Sequence, residues 1–315
     1  MQYQIKIIMR VNPSNINNTF HTIPSKDLQK KLLILPNDLS CEYKTIQQAG
    51  GASPFLLHCH DGCEIFIMLE GEMNFYTEID GKQLKRGDVI CIPPYGFHRG
   101  ELCTPDCYTR IVINIRDERL RCLSTVQTDL SACFYRSSRK LNFYHLNENE
   151  LKACVCYSEQ LTQALENTHF GDDILADIAI RQLLILLNAK ANTGFSSEYT
   201  GIMPTLVSQI FSYVDTHLGE SISIATMAEV LHHNSTYISR CFKQVMGISL
   251  QQYIIAKRIS LAQQLLRDGL SPSDVCFQAG FGNYSNFSRT FSINTGMSPK
   301  QYQTLVTSSS SYLVK

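Results

Sequence analysis

The sequence predicts a two-domain α+β protein: an antiparallel β-barrel or sandwich followed by two helices, and then an all-α domain. Three observations predict this class. Short apolar runs broken by turn residues fill the first part, a helical period begins after Asn147, and an internal repeat occupies the last third. The repeat predicts two helix-turn-helix units joined by a long helix. With 315 residues, the chain can form two separate cores.

Changes in composition and period place the domain boundaries. We expect an N-terminal arm at 1–30, a β domain at 31–145, a helical dimerisation segment at 146–191, a linker at 192–203, a double helix-turn-helix domain at 204–306 and a Ser-rich tail at 307–315. The two helices of the third segment carry apolar stripes that need a partner surface. That partner is the chain's own sheet, a second copy of the chain in a homodimer, or some of each.

The β domain is predicted from short strand-like runs. Glu64–Glu70 and Met73–Thr77 are rich in β-forming residues, and Asp80-Gly81 is a hairpin-turn signal after them. Val89–Ile92 and Thr109–Ile115 supply further strands. Several short strands at this spacing are typical of an antiparallel sandwich or barrel.

Charge and composition narrow the class of protein. The formal net charge is zero, but residues from 201 onward carry eight Lys/Arg against five Asp/Glu, an asymmetry compatible with phosphate contact. No secretory signal or membrane-spanning run is predicted, so we expect a cytoplasmic protein without a membrane partner. In a cytosol the twelve cysteines should be reduced, and we expect most of them to be small buried apolar residues. They form no C-x-x-C pair that would indicate a zinc site or thioredoxin-like chemistry.

The repeat in the last third has an offset of 49 residues, from Ser239 to Ser288. Its first copy consists of Ser239–Phe242, Gly247–Ser249 and Tyr253, and its second of Ser288–Phe291, Gly296–Ser298 and Tyr302. A fixed offset indicates one supersecondary unit used twice. Each copy has the pattern helix, tight turn, helix and Gly stop, which is typical of DNA-reading proteins.

Capping residues and periodicity define the helices of the first unit. Ser223 is expected to cap its first helix, and Ser235 its second, which runs to Met246. The outward face of that second helix carries polar residues that suit a major groove. The corresponding helix of the second unit is expected to begin at Ser285, and Ser249 to cap the connecting helix.

These motifs resemble the AraC/XylS transcription regulators over roughly residues 204–305. The resemblance implies a sequence-specific regulator of transcription that binds double-stranded DNA, answers to a small-molecule effector and, as an activator, contacts RNA polymerase. It implies base or backbone contacts by Ser235, Thr236, Ser239, Arg240, Ser285, Asn286, Ser288 and Arg289. We add Lys243 from the outward face, and Lys257 and Arg258 from the connecting helix as phosphate contacts. Ser292–Asn294 stands where family members commonly carry basic residues.

A second constellation is His58-x-His60-x-x-x-Glu64, six residues and Gly71, followed by a run from Gly87 to His98. Three imidazoles and a carboxylate are ligands that Mn, Fe, Ni or Zn accept. The pattern resembles the two cupin motifs over roughly residues 30–115, with Ala52 and Gly96 as departures. The four residues are therefore candidates for effector binding or metal binding.

Three functions remain open for this site. In the first, a small molecule occupies a pocket fringed by Phe55, Phe66, Tyr95 and Phe97, with a sugar as one candidate; no cofactor and no catalysis are then required. In the second, the cluster holds a divalent transition metal and the chain is a metal- or redox-responsive regulator, with Cys59, Cys63, Cys103 and Cys107 nearby. In the third, which we favour least, a metal-dependent cupin enzyme is fused to a DNA-binding module.

Overall fold

The computed structural model describes residues 32–33, 38–46, 56–103, 108–135, 142–192 and 201–310. The predicted N-terminal arm, most of the predicted linker, and the positions of Ala52, Phe55 and Cys107 lie outside these described residues. Within the described part of the chain, no helix is both long and apolar enough to cross a membrane.

In the described residues nine strands come first, as predicted, and two short helices, a tenth strand and the remaining helices follow. The strands are β1 Leu32–Leu33, β2 Leu39–Ile46, β3 Cys59–His60, β4 Cys63–Glu70, β5 Met73–Thr77, β6 Gly81–Leu84, β7 Asp88–Ile92, β8 His98–Leu102, β9 Tyr108–Ile115 and β10 Phe143–His145. The helices are α1 Asp117–Leu123, α2 Ala132–Tyr135, α3 Glu148–Glu166, α4 Asp172–Asn192, α5 Thr205–His217, α6 Ile224–Val230, α7 Ser235–Met246, α8 Leu250–Arg267, α9 Pro272–Gln278, α10 Tyr284–Thr295 and α11 Pro299–Ser310.

The β domain is a sandwich of two antiparallel sheets. The larger sheet has the order β10-β7-β4-β9-β2 and the smaller one the order β6-β5-β8, while β1 and β3 form a short parallel pair. The predicted hairpin joins β5 to β6, where the amide of Thr77 donates to the carbonyl of Asp80. The prediction of an antiparallel sandwich is confirmed.

The larger sheet is buried on both faces. Phe66 of β4 points into a core shared with the smaller sheet, where it contacts Phe75. Ile65 and Ile67 point to the opposite face, into a core shared with α3 and α4. Since neighbouring residues of a strand face opposite sides, β4 supplies both cores, which explains its continuous apolar run.

The helices α3 and α4 pack on the sheet, but α4 carries two apolar faces. Asn147 caps α3 with a capping box. Leu184 and Leu187 are fully buried, whereas Ile174 and Ile178 are exposed together with Ile185. The buried residues face the sheet, and the exposed ones form a second stripe.

The remaining helices form the all-α domain. Ser249 caps the long helix α8 with a capping box, as predicted. Gly247 and Gly296 end α7 and α10 in the left-handed conformation, with φ of 74° and 82°, as the Gly stops predicted. The last helix, α11, extends through Ser310 and therefore into the segment predicted to be a tail.

The two domains share a continuous apolar core. Leu57, Cys59 and Phe97 of the β domain are fully buried and belong to the cluster that fills the helical domain. Part of the predicted linker also packs, since the amide of Ile202 donates to the carbonyl of Gly81. The helical domain is thus docked on the strands that carry the histidines.

Candidate effector site and nucleic-acid interface

A cavity of about 250 Å³ lies between the two sheets of the sandwich. All four predicted site residues line it, and the structure brings them together. The lining residues are Glu42, His58, His60, Glu64, Phe66, Met73, Phe75, His98, Gly100, Arg110, Val112 and Asn114. Sequence reasoning missed Arg110 and Asn114, although polar residues at alternate positions of an apolar strand were a usable signal.

The three imidazoles converge on one point. The rings of His58 and His60 have centroids 5.0 Å apart, and those of His58 and His98 are 4.3 Å apart. Each ring offers one nitrogen to a group in which these atoms lie within 4.8 Å of one another. The cluster forms because His58 and His60 lie two residues apart, on the same face, and the backbone of His58 pairs with that of His98.

Glu64 completes the cluster and is held as a carboxylate. Its Oε2 lies 2.9 Å from His60 Nε2, and its Oε1 lies 3.6 Å from His98 Nε2. Burial alone would raise the pKa of Glu64, but the neighbouring imidazoles of His98 and His60 outweigh it and hold the pKa well below its usual value. The site therefore contains one buried negative charge.

The two outer histidines differ in protonation. Burial, helped by His98 and His60, lowers the pKa of His58 to about 3, so this ring is neutral near pH 7. Burial also opposes the charging of His98, but the carboxylate of Glu64 raises the pKa of His98 above its usual value. Nδ1 of His58 lies 2.8 Å from the carbonyl of Leu56, and Nδ1 of His98 lies 2.9 Å from that of Gly96. Carbonyls only accept, so both Nδ1 atoms carry protons and the neutral His58 presents a lone pair at Nε2.

The aromatic lining differs from the prediction. Phe66 lines the cavity, and Phe75 stacks on His98 with ring centroids 5.8 Å apart. Tyr95 and Phe97 were expected in the pocket, and that was wrong. The ring of Phe97 packs edge-on against Tyr253 of α8, and Tyr95 lies near Arg267 at the end of the same helix. Both belong to the interface between the domains.

The thiols near the site are poorly suited to redox chemistry. Cys59 and Cys63 are fully buried, and burial raises the pKa of each thiol well above its usual value. A buried thiol with a raised pKa forms little thiolate, which is the reactive species. Cys103 is exposed on the surface of the smaller sheet.

A larger, open cleft of about 790 Å³ lies between the two domains. Its charged lining is largely paired: Arg119 with Asp177, and Arg267 with Asp61 and Glu118. The convergent histidines line the smaller cavity, between the two sheets, and not this cleft.

The recognition helix of the first unit is α7. Its N-cap is Asn234, whose side chain accepts a hydrogen bond from the amide of Thr236, so the prediction that Ser235 caps this helix is wrong. Asn and Ser are both good capping residues, so the sequence did not determine which of the two adjacent residues is the N-cap. Thr236, Arg240 and Lys243 are exposed, while Ser235 and Ser239 are half-buried.

The recognition helix of the second unit is α10. It begins at Tyr284, one residue earlier than expected, and Asn283 is its N-cap. Ser285, Asn286 and Arg289 are exposed, and Ser288 is half-buried. Sequence reasoning missed Tyr237 and Tyr284, which are about half exposed at the start of the two recognition helices. They are not equivalent in the repeat, which aligns Tyr237 with Asn286 and Tyr284 with Ser235.

Lys257 and Arg258 do not point outward as expected. Lys257 Nζ pairs with Oε1 of Glu78 at 2.5 Å and with Oδ1 of Asp215 at 3.2 Å. Arg258 donates to the carbonyls of Leu218 and Glu220. Both cations therefore hold the protein together in this structure. Their role as phosphate contacts stays a prediction, and it would require them to leave these partners.

Sequence reasoning also missed the polar contacts between the domains. The hydroxyl of Tyr253 donates to Glu78, a residue of the turn between β5 and β6. Arg99 of β8 is buried and donates to the carbonyl of Val245 near the end of α7. No sequence pattern links residues so far apart, because these contacts depend on how the two domains dock.

Two family descriptions match the chain. Residues 53–184 match an AraC-like ligand binding domain, and residues 227–304 match a helix-turn-helix domain. The first range contains the histidine cluster, and the second contains both recognition helices. Together they account for about two thirds of the chain.

Curated relatives resemble the chain over part of their length. An uncharacterised helix-turn-helix-type transcriptional regulator of Staphylococcus aureus (strain MSSA476) is 22% identical over 250 residues, which cover 77% of this chain and 31% of the relative. The chain thus spans about a third of the length of such relatives. The probable transcriptional regulator LumQ of Photobacterium leiognathi is 37% identical over 141 residues, which cover 44% of this chain and 56% of that one.

Solved structures also resemble it. ToxT from Vibrio cholerae O395, bound to (E)-4-(8-methylnaphthalen-1-yl)but-3-enoic acid, matches with a TM-score of 0.37 and 15% identity, covering 86% of this chain and 100% of that one. The C-terminal domain of AraT, a response regulator from Geobacillus stearothermophilus, matches with a TM-score of 0.32 and 26% identity. The match covers 33% of this chain and 88% of that one. The fold assignment rests on the chain's own topology, since these TM-scores are low.

Proposed function

Because the chain belongs to the AraC/XylS family of transcription regulators, we propose that it binds double-stranded DNA under the control of a small molecule held in the sandwich. One observation carries the proposal: two capped recognition helices expose their polar faces in a chain that also encloses a polar cavity. Binding and a change of shape suffice for this function, so no catalytic step is assigned.

The recognition helices supply the DNA contacts. Arg240 and Arg289 occupy equivalent exposed positions, and an arginine there can reach a guanine edge or a phosphate. Lys243 adds a cation on α7, where α10 has Ser292. The first unit is therefore expected to contribute the larger share of the affinity. RNA polymerase becomes a second partner if the protein activates transcription.

The cavity suits a small polar effector. A volume of about 250 Å³ corresponds to on the order of eight water molecules. Imidazole nitrogens and the amide of Asn114 offer hydrogen bonds, and Phe66 and Phe75 supply apolar faces. A sugar fits this mixture, and thermal-shift measurements with a panel of monosaccharides would test it. The cytoplasm is the expected compartment for such a regulator.

A divalent transition metal is the second candidate occupant, and the residues fit it. Nδ1 of His58 and of His98 donates to backbone carbonyls, which is the orientation that metal-ligating histidines adopt. His60 Nδ1 and His98 Nε2 are buried and make no hydrogen bond within the described residues. His58, His60, His98 and Glu64 would hold the metal, which would link three strands and make the protein a metal sensor.

Metal content separates the two occupants. Untagged protein, purified without chelator, would be analysed by mass spectrometry beside a His58→Ala/His98→Ala variant and a His145→Ala control outside the cluster. Near-stoichiometric metal in the wild type and control, but not in the double variant, supports the metal sensor. Metal-free wild-type protein rejects it and leaves the cluster as effector lining.

DNA binding is tested independently of any effector. Full-length protein would select its preferred sites from random double-stranded DNA, and affinity would then be measured by fluorescence anisotropy. Arg240→Gln and Arg289→Gln should weaken binding, whereas Arg86→Gln, on the β domain, should not. Failure to select any sequence would contradict the proposed function.

We also propose that the exposed stripe of α4 forms a homodimer seam. Ile174, Ile178 and Ile185 are about half exposed and follow helical spacing. Light scattering of wild type and Ile174→Glu/Ile178→Glu tests this proposal, because a charged stripe should convert a dimer to a monomer. A monomeric wild type would contradict the seam.

A further inference from the structure

Strand β8 connects the effector cavity to the first recognition helix. Neighbouring residues of a strand face opposite sides of the sheet. His98 therefore points into the cavity, while Arg99 points out toward the helical domain. The side chain of Arg99 is buried at this interface, with 6% exposed.

Arg99 caps the C-terminal end of α7. The last four carbonyls of a helix have no partner within the helix, and a cation near that end is favourable. Arg99 Nη1 donates to one of them, the carbonyl of Val245. Its guanidinium also covers Gly247, with Cζ 3.5 Å from where a Cβ on that glycine would lie. The sensor domain thus supplies a cap to a helix of the other domain.

The cavity fixes the position of β8. The backbones of His58 and His98 exchange two hydrogen bonds, of 3.1 and 2.9 Å. Glu64 attracts His98 from one side, and Phe75 stacks on it from another. An occupant that displaces the backbone at His98 also displaces the adjoining residue Arg99 and its guanidinium.

We propose that Arg99 is the positioning residue through which the histidine cluster acts on recognition helix α7. Occupation of the cavity shifts β8, and Arg99 passes this shift to the last turn of α7, which carries Lys243. The inference rests on the proposed role of the cavity as effector site, but it requires no particular occupant. Phe97, one residue before the cluster's His98, packs on Tyr253 and keeps the strand against the helical domain.

Hydrogen exchange on the full-length chain tests the proposal without ligand or DNA. Four proteins would be compared: wild type, Glu64→Gln, Arg99→Met and the double variant. In Arg99→Met, the amides at the end of α7 should exchange on the order of tenfold faster, since a charged hydrogen bond is lost. Glu64→Gln should also speed exchange there in the wild-type background, but add nothing in the Arg99→Met background.

Several controls keep the result decisive. The last turn of α10 should not change in any variant, and Arg86→Met, which removes an arginine bound to the carbonyl of Leu69 instead, should leave α7 unchanged. Arg99→Lys should restore part of the protection. If Glu64→Gln unfolds the sandwich, His98→Asn is the second perturbation of the cluster.

Two results would overturn the proposal. Perturbing the cluster could leave α7 unaffected, or it could affect α7 equally with and without Arg99. Because neither measurement involves DNA, failure here is distinguishable from failure of the proposed DNA binding. The coupling between the cluster and α7 can be measured whether or not the protein binds DNA.

Discussion

The two helix-turn-helix units share one sequence pattern but have different surroundings. Gly247 and Gly296 end their recognition helices with nearly the same backbone conformation. Arg99 covers Gly247, whereas no described residue distant in the chain comes within 4 Å of the position where a Cβ on Gly296 would be. The sensor domain therefore has a direct contact with the end of one recognition helix, and the other helix ends in the open.

The same contrast holds elsewhere in the repeat. Glu229 near the end of α6 is an exposed carboxylate, while its counterpart in α9, Phe277, is an aromatic side chain with 66% exposed. Lys243 likewise has Ser292 as its counterpart. We therefore expect the two units to differ in function. The first is regulated by the sensor domain and provides cationic contacts, and the second lengthens the contacted DNA and adds specificity.

Removing the central phenylalanine of each unit should give the largest effect. Phe242 and Phe291 are both fully buried, so Phe242→Ala and Phe291→Ala should each cost about 3–5 kcal/mol of unfolding free energy. Urea unfolding would measure both. Phe242 touches Tyr253, which touches Phe97 of the β domain.

A double-mutant cycle with Phe97→Ala then separates the two units. Phe242→Ala should couple to it by roughly 0.5–3 kcal/mol, and Phe291→Ala should be additive with it within about 0.5 kcal/mol. Equal coupling of both would mean that the second unit is tied to the sensor as closely as the first.

The sequence predicted what local patterns determine. Strand alternation places His58 and His60 on one face, and the resemblance to the two cupin motifs added Glu64 and His98 to the same site. The starts of the two recognition helices were predicted to within one residue, and the error at α7 arose because two capping residues, Asn234 and Ser235, are adjacent.

Contacts between the domains could not be predicted. Arg99 and Val245 lie 146 residues apart, and their contact exists only because two separately patterned domains dock. Lys257 is a second residue whose surroundings depend on how the domains dock. Its helical position suggested a solvent-facing cation, but burial by the β domain and the carboxylate of Glu78 turn it inward, and Glu78 raises its pKa against the opposing effect of burial.

Substitution of the arginines on the recognition helices tests whether the two units contribute differently to DNA binding. Arg240→Gln and Arg289→Gln should each weaken binding by up to about 3 kcal/mol if the side chain reads a base, and relax specificity at one position. The loss should be larger in the first unit. Anisotropy on the selected DNA measures it, with Arg86→Gln as the matched control. Losses that are uniform across DNA sequences would assign both arginines to phosphate.

The pH dependence of stability tests the sensor side of the comparison. The pKa of His58 is about 3 in the folded protein, and it is about 6.5 in an unfolded chain. Between these values the unfolded chain binds the extra proton, so stability is lost as pH falls through this window. At pH 5, relative to pH 7.5, the loss from His58 alone should be about 2 kcal/mol.

Two groups next to His58 affect the stability outside the pH range in which His58 does. His98, whose pKa is raised, contributes stability that is lost as pH rises above about 6.5, and Glu64, whose pKa is lowered, loses its contribution only in stronger acid. Urea unfolding of metal-free wild type and His58→Gln at the two pH values isolates the effect. An equal loss in both proteins would show that His58 titrates normally.

The smallest expected effect is a gain of function in the second unit. Each phosphate contact adds about 0.9 to the magnitude of the slope of log affinity against log salt. Ser292→Lys should therefore steepen the slope by about that amount, and Lys243→Gln should reduce it equally. Ser273→Lys, on exposed α9, controls for net charge. If Ser273→Lys steepens the slope as much, α10 does not approach the DNA backbone at Ser292, and the difference between the units would lie in docking alone.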